Sequence, residues 1–291
     1  MRVHSFTFKG KRLVYERAGS GSPIVFLHNL GSSRLIWKRQ VEQLMRTHDV
    51  VALDMLGYGD SDRGERSEYT LENYADALAA LIDELRFDKV ALVGNCVGSA
   101  TALSYAARNP GRVSALVLAN PATYDTIEWR PLGLLIRLGN RLPALARAIS
   151  PLSRVALPKW VATAIVKQQI GQAGKENRVL DEPHIRELRD LWTRPGALQP
   201  TVDSDIAANF ATAFVELDRM SKDADFPPIC TIWGAQNAVL SPRRGQRLNQ
   251  SVLQPERDEV LADSGHLPMV EEPDRVTAII TDFITEHHAH G

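Results

Sequence analysis

Val93-Gly94-Asn95-Cys96-Val97-Gly98-Ser99-Ala100 is the stretch on which the reading of this chain turns. It follows an apolar run, Val90-Ala91-Leu92-Val93, and opens a segment lined with the small residues Ala100, Ala102, Ala106 and Ala107. Gly-x-Cys-x-Gly between a strand and a helix sets its middle residue on a sharp, strained bend. The flanking glycines relieve crowding where the backbone passes close to itself. A helix start then offers N–H groups and the positive end of a dipole to a nucleophile and to an oxyanion forming beside it. The same setting lowers the pKa of a thiol, whose reactive form is the thiolate. Cys96 is therefore the candidate nucleophile. Cys230, inside the apolar run Ile229-Cys230-Thr231-Ile232-Trp233, reads as a small buried hydrophobe.

Outward from this stretch, short apolar runs recur at residues 24–27, 50–53, 90–93, 115–118 and 229–233, and more weakly at 260–261. Runs without a polar face predict strands covered on both sides, as in a parallel sheet. Between them the spacing is helical. Leu71, Tyr74, Ala75, Leu78, Leu81, Ile82 and Leu85 form one stripe behind Thr70, a candidate N-cap. Val276, Ile279, Ile280, Phe283 and Ile284 form another after Pro273. Strand–helix alternation of this kind implies an α/β fold: a mostly parallel central sheet with helices on both faces. From Pro121 to Ser204 the alternation stops, and proline-cut helical stretches take over. That interval predicts an inserted helical lid (121–204) dividing the core into 1–120 and 205–291.

Charge and cysteine count exclude other classes. With 34 Lys and Arg against 35 Asp and Glu, net charge is −1, which argues against a nucleic-acid partner. No run approaches the ~18 apolar residues of a membrane span. The start, Met1-Arg2-Val3-His4-Ser5-Phe6, lacks a secretory apolar core. Two cysteines without CxxC spacing exclude a disulfide framework and a cysteine-rich zinc site. The expectation is a cytoplasmic protein needing no metal or cofactor. Residues 124–160 carry six bases against two acids. They read either as a solvated helix face or as a docking surface for an anionic substrate or carrier.

Four further segments resemble the α/β-hydrolase superfamily, and the likeness spans nearly the whole chain. Leu27-His28-Asn29-Leu30-Gly31 is similar to the family's oxyanion turn, and Asp54-Met55-Leu56-Gly57-Tyr58-Gly59-Asp60-Ser61 to its Asp-x-x-Gly-x-Gly-x-Ser loop. Trp233-Gly234-Ala235-Gln236-Asn237 resembles the loop bearing the triad acid, and Asp263-Ser264-Gly265-His266-Leu267-Pro268 the loop bearing the base. The order nucleophile, acid, base also matches. The resemblance implies Cys96 as nucleophile, His266 as general base, and the backbone N–H groups of Leu30 and Val97 as oxyanion hole. His28 belongs to the structural turn. Asn29 replaces a glycine of that turn and tolerates left-handed backbone.

Cysteine stands where the family has serine, and Asn237 where it has a carboxylate. The pair makes joint sense, because a thiol can rest as a thiolate–imidazolium pair whose histidine needs mainly orienting, which an amide oxygen can do. The third member is thus Asn237, or a relocated residue at the end of the strand before the lid (Asp125 or Asn120), or absent; Asp205 and Asp218 read as lid-surface residues. The reaction implied is acyl transfer through an acyl-cysteine. The enzyme would be a hydrolase or acyltransferase acting on a small ester, lactone or thioester, with coenzyme A or an acyl carrier as a possible donor. A ligand-binding or sensor protein on the same fold, or a C–C cleaving or lyase-type enzyme, is the alternative.

Overall fold

A computed structural model of the chain describes residues 2–123, 125–127, 154–203 and 226–288. They form an eight-stranded sheet of β1 (Arg2–Phe8), β2 (Lys11–Gly19), β3 (Pro23–Leu27), β4 (Asp49–Asp54), β5 (Val90–Asn95), β6 (Val113–Ala119), β7 (Ile229–Gly234) and β8 (Arg257–Leu261). Their order is β1-β2-β4-β3-β5-β6-β7-β8. The first two pairings are antiparallel, and every pairing from β4 to β8 is parallel. Every residue of β4, β5, β6 and β7 is buried, as strands covered on both faces require.

The β1–β2 hairpin has no counterpart in the sequence reading. β1 lies at the sheet edge with most of its residues exposed, so no apolar run marks it. Its cue is the turn Lys9-Gly10, both residues at positive φ (48° and 77°), which suits a two-residue hairpin.

Helices α1 (Lys38–Leu44), α2 (Leu71–Glu84) and α3 (Val97–Arg108) pack against the sheet. Thr70 caps α2 as its position suggests, its hydroxyl accepting from Asn73 N at 3.1 Å. Between β6 and β7 the α-helices among the described residues are α4 (Lys159–Gln169), α5 (Gln172–Glu176), α6 (Pro183–Leu191) and α7 (Gln199–Asp203). After β7 come α8 (Pro242–Leu248), α9 (Pro268–Glu271) and α10 (Pro273–His288), the last on the predicted 276–284 stripe. Two apolar clusters, one on each face of the sheet, form the core. Of the basic residues in 124–160, only Arg154 and Lys159 fall among those described, and Asp205 and Asp218 fall outside. No helix among the described residues is long and apolar enough to cross a membrane.

Candidate active site

Parallel strands bring their C-terminal ends to one edge of the sheet, where ligand sites of open α/β sheets form. Cys96 follows β5, Asn120 follows β6, Asn237 lies three residues beyond β7, and His266 lies in the loop after β8. Leu30 comes from the turn after β3.

Cys96 occupies the bend between β5 and α3 with φ 57° and ψ −112°, a conformation that costs a side-chain-bearing residue about 1–3 kcal/mol. The surrounding backbone holds it there. Cys96 N donates to Ala119 O at 2.9 Å, and Ser99 Oγ donates to Gly94 O and Ala119 O, each at 2.9 Å. A methyl group on Gly94 would collide with the backbone of Gly98 and Ser99, and one on Gly98 with Leu27 O and His28 O. The glycines flanking Cys96 therefore let strand and helix close on each other. In the oxyanion turn the left-handed residue is Gly31 (φ 69°), and Asn29 adopts no positive φ.

The sequence predicts a lowered thiol pKa at the helix start. The structure corrects this: burial pushes the Cys96 thiol up to about 12, although the backbone N–H groups of Val97 and Leu30 act on the sulfur in the opposite direction. Desolvation outweighs the dipole because Cys96 is only 6% exposed. His266 is equally enclosed, and burial pushes its ring down to about 3. A neutral thiol and a neutral imidazole therefore share the site at neutral pH.

The partner of His266 is Asn237, whose Nδ2 lies 3.1 Å from the ring Nδ1. Of the two rivals for the third position, Asp125 is exposed and Asn120 bonds Asn237. Which way the amide faces is decided by its other contacts. Asn237 Oδ1 accepts from Val239 N and Leu240 N, both at 2.9 Å, and Nδ2 also donates to Asn120 Oδ1 at 3.0 Å. Asn120 is fixed in turn, with Oδ1 accepting from Gly234 N (3.2 Å) and Nδ2 donating to His266 O (3.3 Å) and Asn95 Oδ1 (3.3 Å). Asn95 Nδ2 also donates to His266 O, at 3.1 Å. Turning the Asn237 amide over would point its hydrogens at two backbone N–H groups and set two oxygens 3.0 Å apart. At about 1–3 kcal/mol for each buried group so orphaned, the observed orientation wins by several kcal/mol. Where the sequence reading turns an amide oxygen to the imidazole, the structure turns the nitrogen. An NH₂ group donates only, so Nδ1 accepts and the neutral ring carries its proton on Nε2.

The loop of His266 is tied to the helices between β6 and β7. His266 N donates to Gln169 O at 2.6 Å. The buried Glu271 accepts from Gly265 N (2.9 Å) and Leu267 N (3.2 Å) through Oε1, and from Gly171 N (2.6 Å) through Oε2. Glu271 escapes sequence reasoning because its backbone partners leave no side-chain pattern. Asn95 was in view inside the glycine motif but carries no signal of its own there. His28 is structural: Nδ1 bonds Asn29 O (2.8 Å) and Nε2 accepts from Met55 N (3.0 Å).

Cys96 and His266 open onto one pocket. Leu30, Ile127, Ile165, Trp192 and Val239 make much of its wall, and its polar groups (Asn29, Gln168, Gln169 and Thr201 beside Cys96 and His266) are all neutral. No Asp, Glu, Lys or Arg among the described residues lines it. Among the described residues no cluster of His, Cys, Asp and Glu has the makings of a metal site.

A strained nucleophile position after the central strand, with a histidine loop after the last, is the arrangement that the glycine motif anticipates. The family model described as the alpha/beta hydrolase fold matches residues 22–273. The chain belongs to this family. Among α/β-hydrolases it is 28% identical over 97% of its length, and 88% of the relative's, to the cis-3-alkyl-4-alkyloxetan-2-one decarboxylase of Shewanella oneidensis. It is 26% identical over 91% of its length to the 2-hydroxy-6-oxo-2,4-heptadienoate hydrolase of Pseudomonas putida, covering 90% of that protein. The structure of a Thermogutta terrifontis esterase superposes with TM-score 0.77 at 22% identity, over 99% of this chain and all of that one. The chain thus stands among enzymes built on this fold, a decarboxylase and a hydrolase among them.

Proposed function

We propose that this α/β-hydrolase transfers an acyl group through a thioester formed on Cys96. It would act as a hydrolase or acyltransferase on a small, neutral and largely apolar ester, lactone or thioester. The observation that carries this reading is Cys96 itself, at a strained bend and on the wall of an apolar pocket, with the N–H groups of Leu30 and Val97 acting on its sulfur. Cys96 attacks the carbonyl carbon, and the same two N–H groups receive the developing oxyanion. His266 is the ring of the site and Asn237 the residue that sets its protonation. The wall, uncharged among the described residues, favours a neutral substrate body, and the oxetan-2-one in the Shewanella relative's name is such a neutral carbonyl ring. Residues 121–204 act as a lid, a reading supported by Ile165 and Trp192 in the pocket wall. A donor carried on coenzyme A or an acyl-carrier protein would present its acyl end here, and a reduced thiol suits the cytoplasm.

Incubation with acyl thioesters, followed by intact-mass spectrometry, tests the proposal. One acyl adduct is expected on the wild type and none on Cys96→Ala; an adduct count unchanged in Cys96→Ala refutes it. One observation favours a second reading, a pocket that binds without turnover: the amide nitrogen on His266 Nδ1. Wild-type protein that binds acyl compounds without ever forming the Cys96 adduct would select it.

A further inference from the structure

Asn237 turns the nitrogen of its amide, not the oxygen, to the ring of His266. With Nδ1 accepting from Asn237 Nδ2, the lone pair a general base needs is already engaged, and the proton on Nε2 belongs to a neutral ring. Giving up that proton would create an imidazolate beside an amide that cannot supply another. His266 is then a hydrogen-bond donor, as a neutral imidazole can be when it polarises a carbonyl. Among the described residues no carboxylate, ammonium or guanidinium lines the pocket to take over proton transfer.

Resting on the acyl-cysteine reading, the consequence is chemical. The Cys96 thiol loses its proton to water, and the thiolate attacks the carbonyl carbon, forming a C–S bond and an oxyanion at Leu30 N and Val97 N. When the intermediate collapses, the bond to the leaving atom breaks and that atom takes the electron pair. An alkoxide must be protonated as it departs. A thiolate leaves as a stable anion and collects its proton from water afterwards, so that R–CO–SR′ and Cys96–SH become Cys96–S–CO–R and HSR′. We propose that the site is selective for thioester donors and that Asn237, a positioning residue acting through His266, makes the selection. The same shortage governs the second half: water needs a base to attack, whereas a thiolate or a neutral amine does not. The acyl-enzyme therefore persists in water and discharges to a thiol or amine.

The test uses one acyl group on three leaving groups (ethanethiol, phenol and ethanol) and follows Cys96 acylation by intact mass. N-acetylcysteine methyl ester is the free-thiol reference. For the wild type we expect leaving-group dependence as steep as the free thiol's, with the ethyl ester inert. In Asn237→Asp the dependence should flatten, the ethyl ester gaining about a hundredfold over the thioester, the size of a general-acid contribution. Should that variant fail to fold, long-range ¹H–¹⁵N spectra of the wild type read the same point, with Nε2 protonated and Nδ1 bare. A proton on Nδ1, or an ethyl ester acylating Cys96 as fast as the thioester, overturns the inference and leaves the nucleophile standing. No adduct from any donor overturns both.

Discussion

Asn237→Asp exchanges one NH₂ group for an oxygen and reverses the proton bookkeeping of the site. The new carboxylate keeps the bonds from Val239 N and Leu240 N but presents an acceptor to His266 Nδ1 across 3.1 Å. At an effective dielectric of about 20, a carboxylate and an imidazolium at that distance attract by about 5 kcal/mol, roughly four pKa units. Since burial holds the wild-type ring at about 3, the variant's ring should titrate near 7. The stability consequence has a definite sign. In the wild type the folded ring stays neutral while the unfolded one charges below about 6.5, so stability is lost as pH falls from there. In the variant the two values nearly coincide and that loss disappears. Between about pH 7 and pH 5 the wild type should therefore lose about 2 kcal/mol more than the variant. His28, Asp54 and Glu271 titrate in both proteins and cancel from the difference. Denaturant unfolding at the two pH values measures it. Against this, the variant is about 1–3 kcal/mol less stable near neutrality, because the carboxylate faces Asn120 Oδ1 without a proton to offer. Equal pH slopes in the two proteins would refute the assignment of the amide nitrogen to the ring.

Three other outcomes follow from the same geometry. Iodoacetamide should modify Cys96 slowly at neutral pH and about tenfold faster for each unit of pH up to about 9, because burial keeps the thiol up near 12; peptide mapping gives the rates, and a plateau below pH 9 would contradict the buried neutral thiol. Glu271→Gln should destabilise the fold by about 1–3 kcal/mol, since an amide cannot accept from Gly265, Leu267 and Gly171 together, and hydrogen exchange at Gly265 and Leu267 should rise; unchanged exchange would remove Glu271 as the anchor of the histidine loop. Gly98→Ala forces a methyl group against Leu27 O and His28 O and should cost about 3 kcal/mol or more in thermal or denaturant unfolding, where a near-neutral change would contradict the close packing of β3 on α3.

The parallel part of the sheet was legible because physics writes it into composition. A strand covered on both faces has no polar side, so Val50-Val51-Ala52-Leu53 and Ala115-Leu116-Val117-Leu118 announce β4 and β6 within a residue or two at either end. β8 is fainter because it lies at the other sheet edge with Val260 exposed, and β1 is invisible for the same reason. The cysteine bend was legible for a different reason. Two backbone close approaches there admit no side chain, and glycine at positions 94 and 98 is their direct trace.

The thiol's acidity and the ring's protonation were not legible, and both failures have one cause. Motif and spacing fix which residues meet, but each of these properties depends on what surrounds the meeting. A helix N-terminus lowers a thiol pKa only while the sulfur keeps some solvent; at Cys96 burial wins, and the sign reverses. An asparagine can turn either end of its amide to a histidine. At position 237 the choice is made by two backbone N–H groups of the following turn and by Asn120, itself locked by Gly234 N and His266 O. A carboxylate in that place would satisfy the turn and the ring at once, having two acceptors. The amide has one acceptor, and the turn claims it. An amide at 237 therefore does more than lack a charge: it offers the imidazole a donor where a carboxylate would offer an acceptor, which is the difference the Asn237→Asp comparison reads.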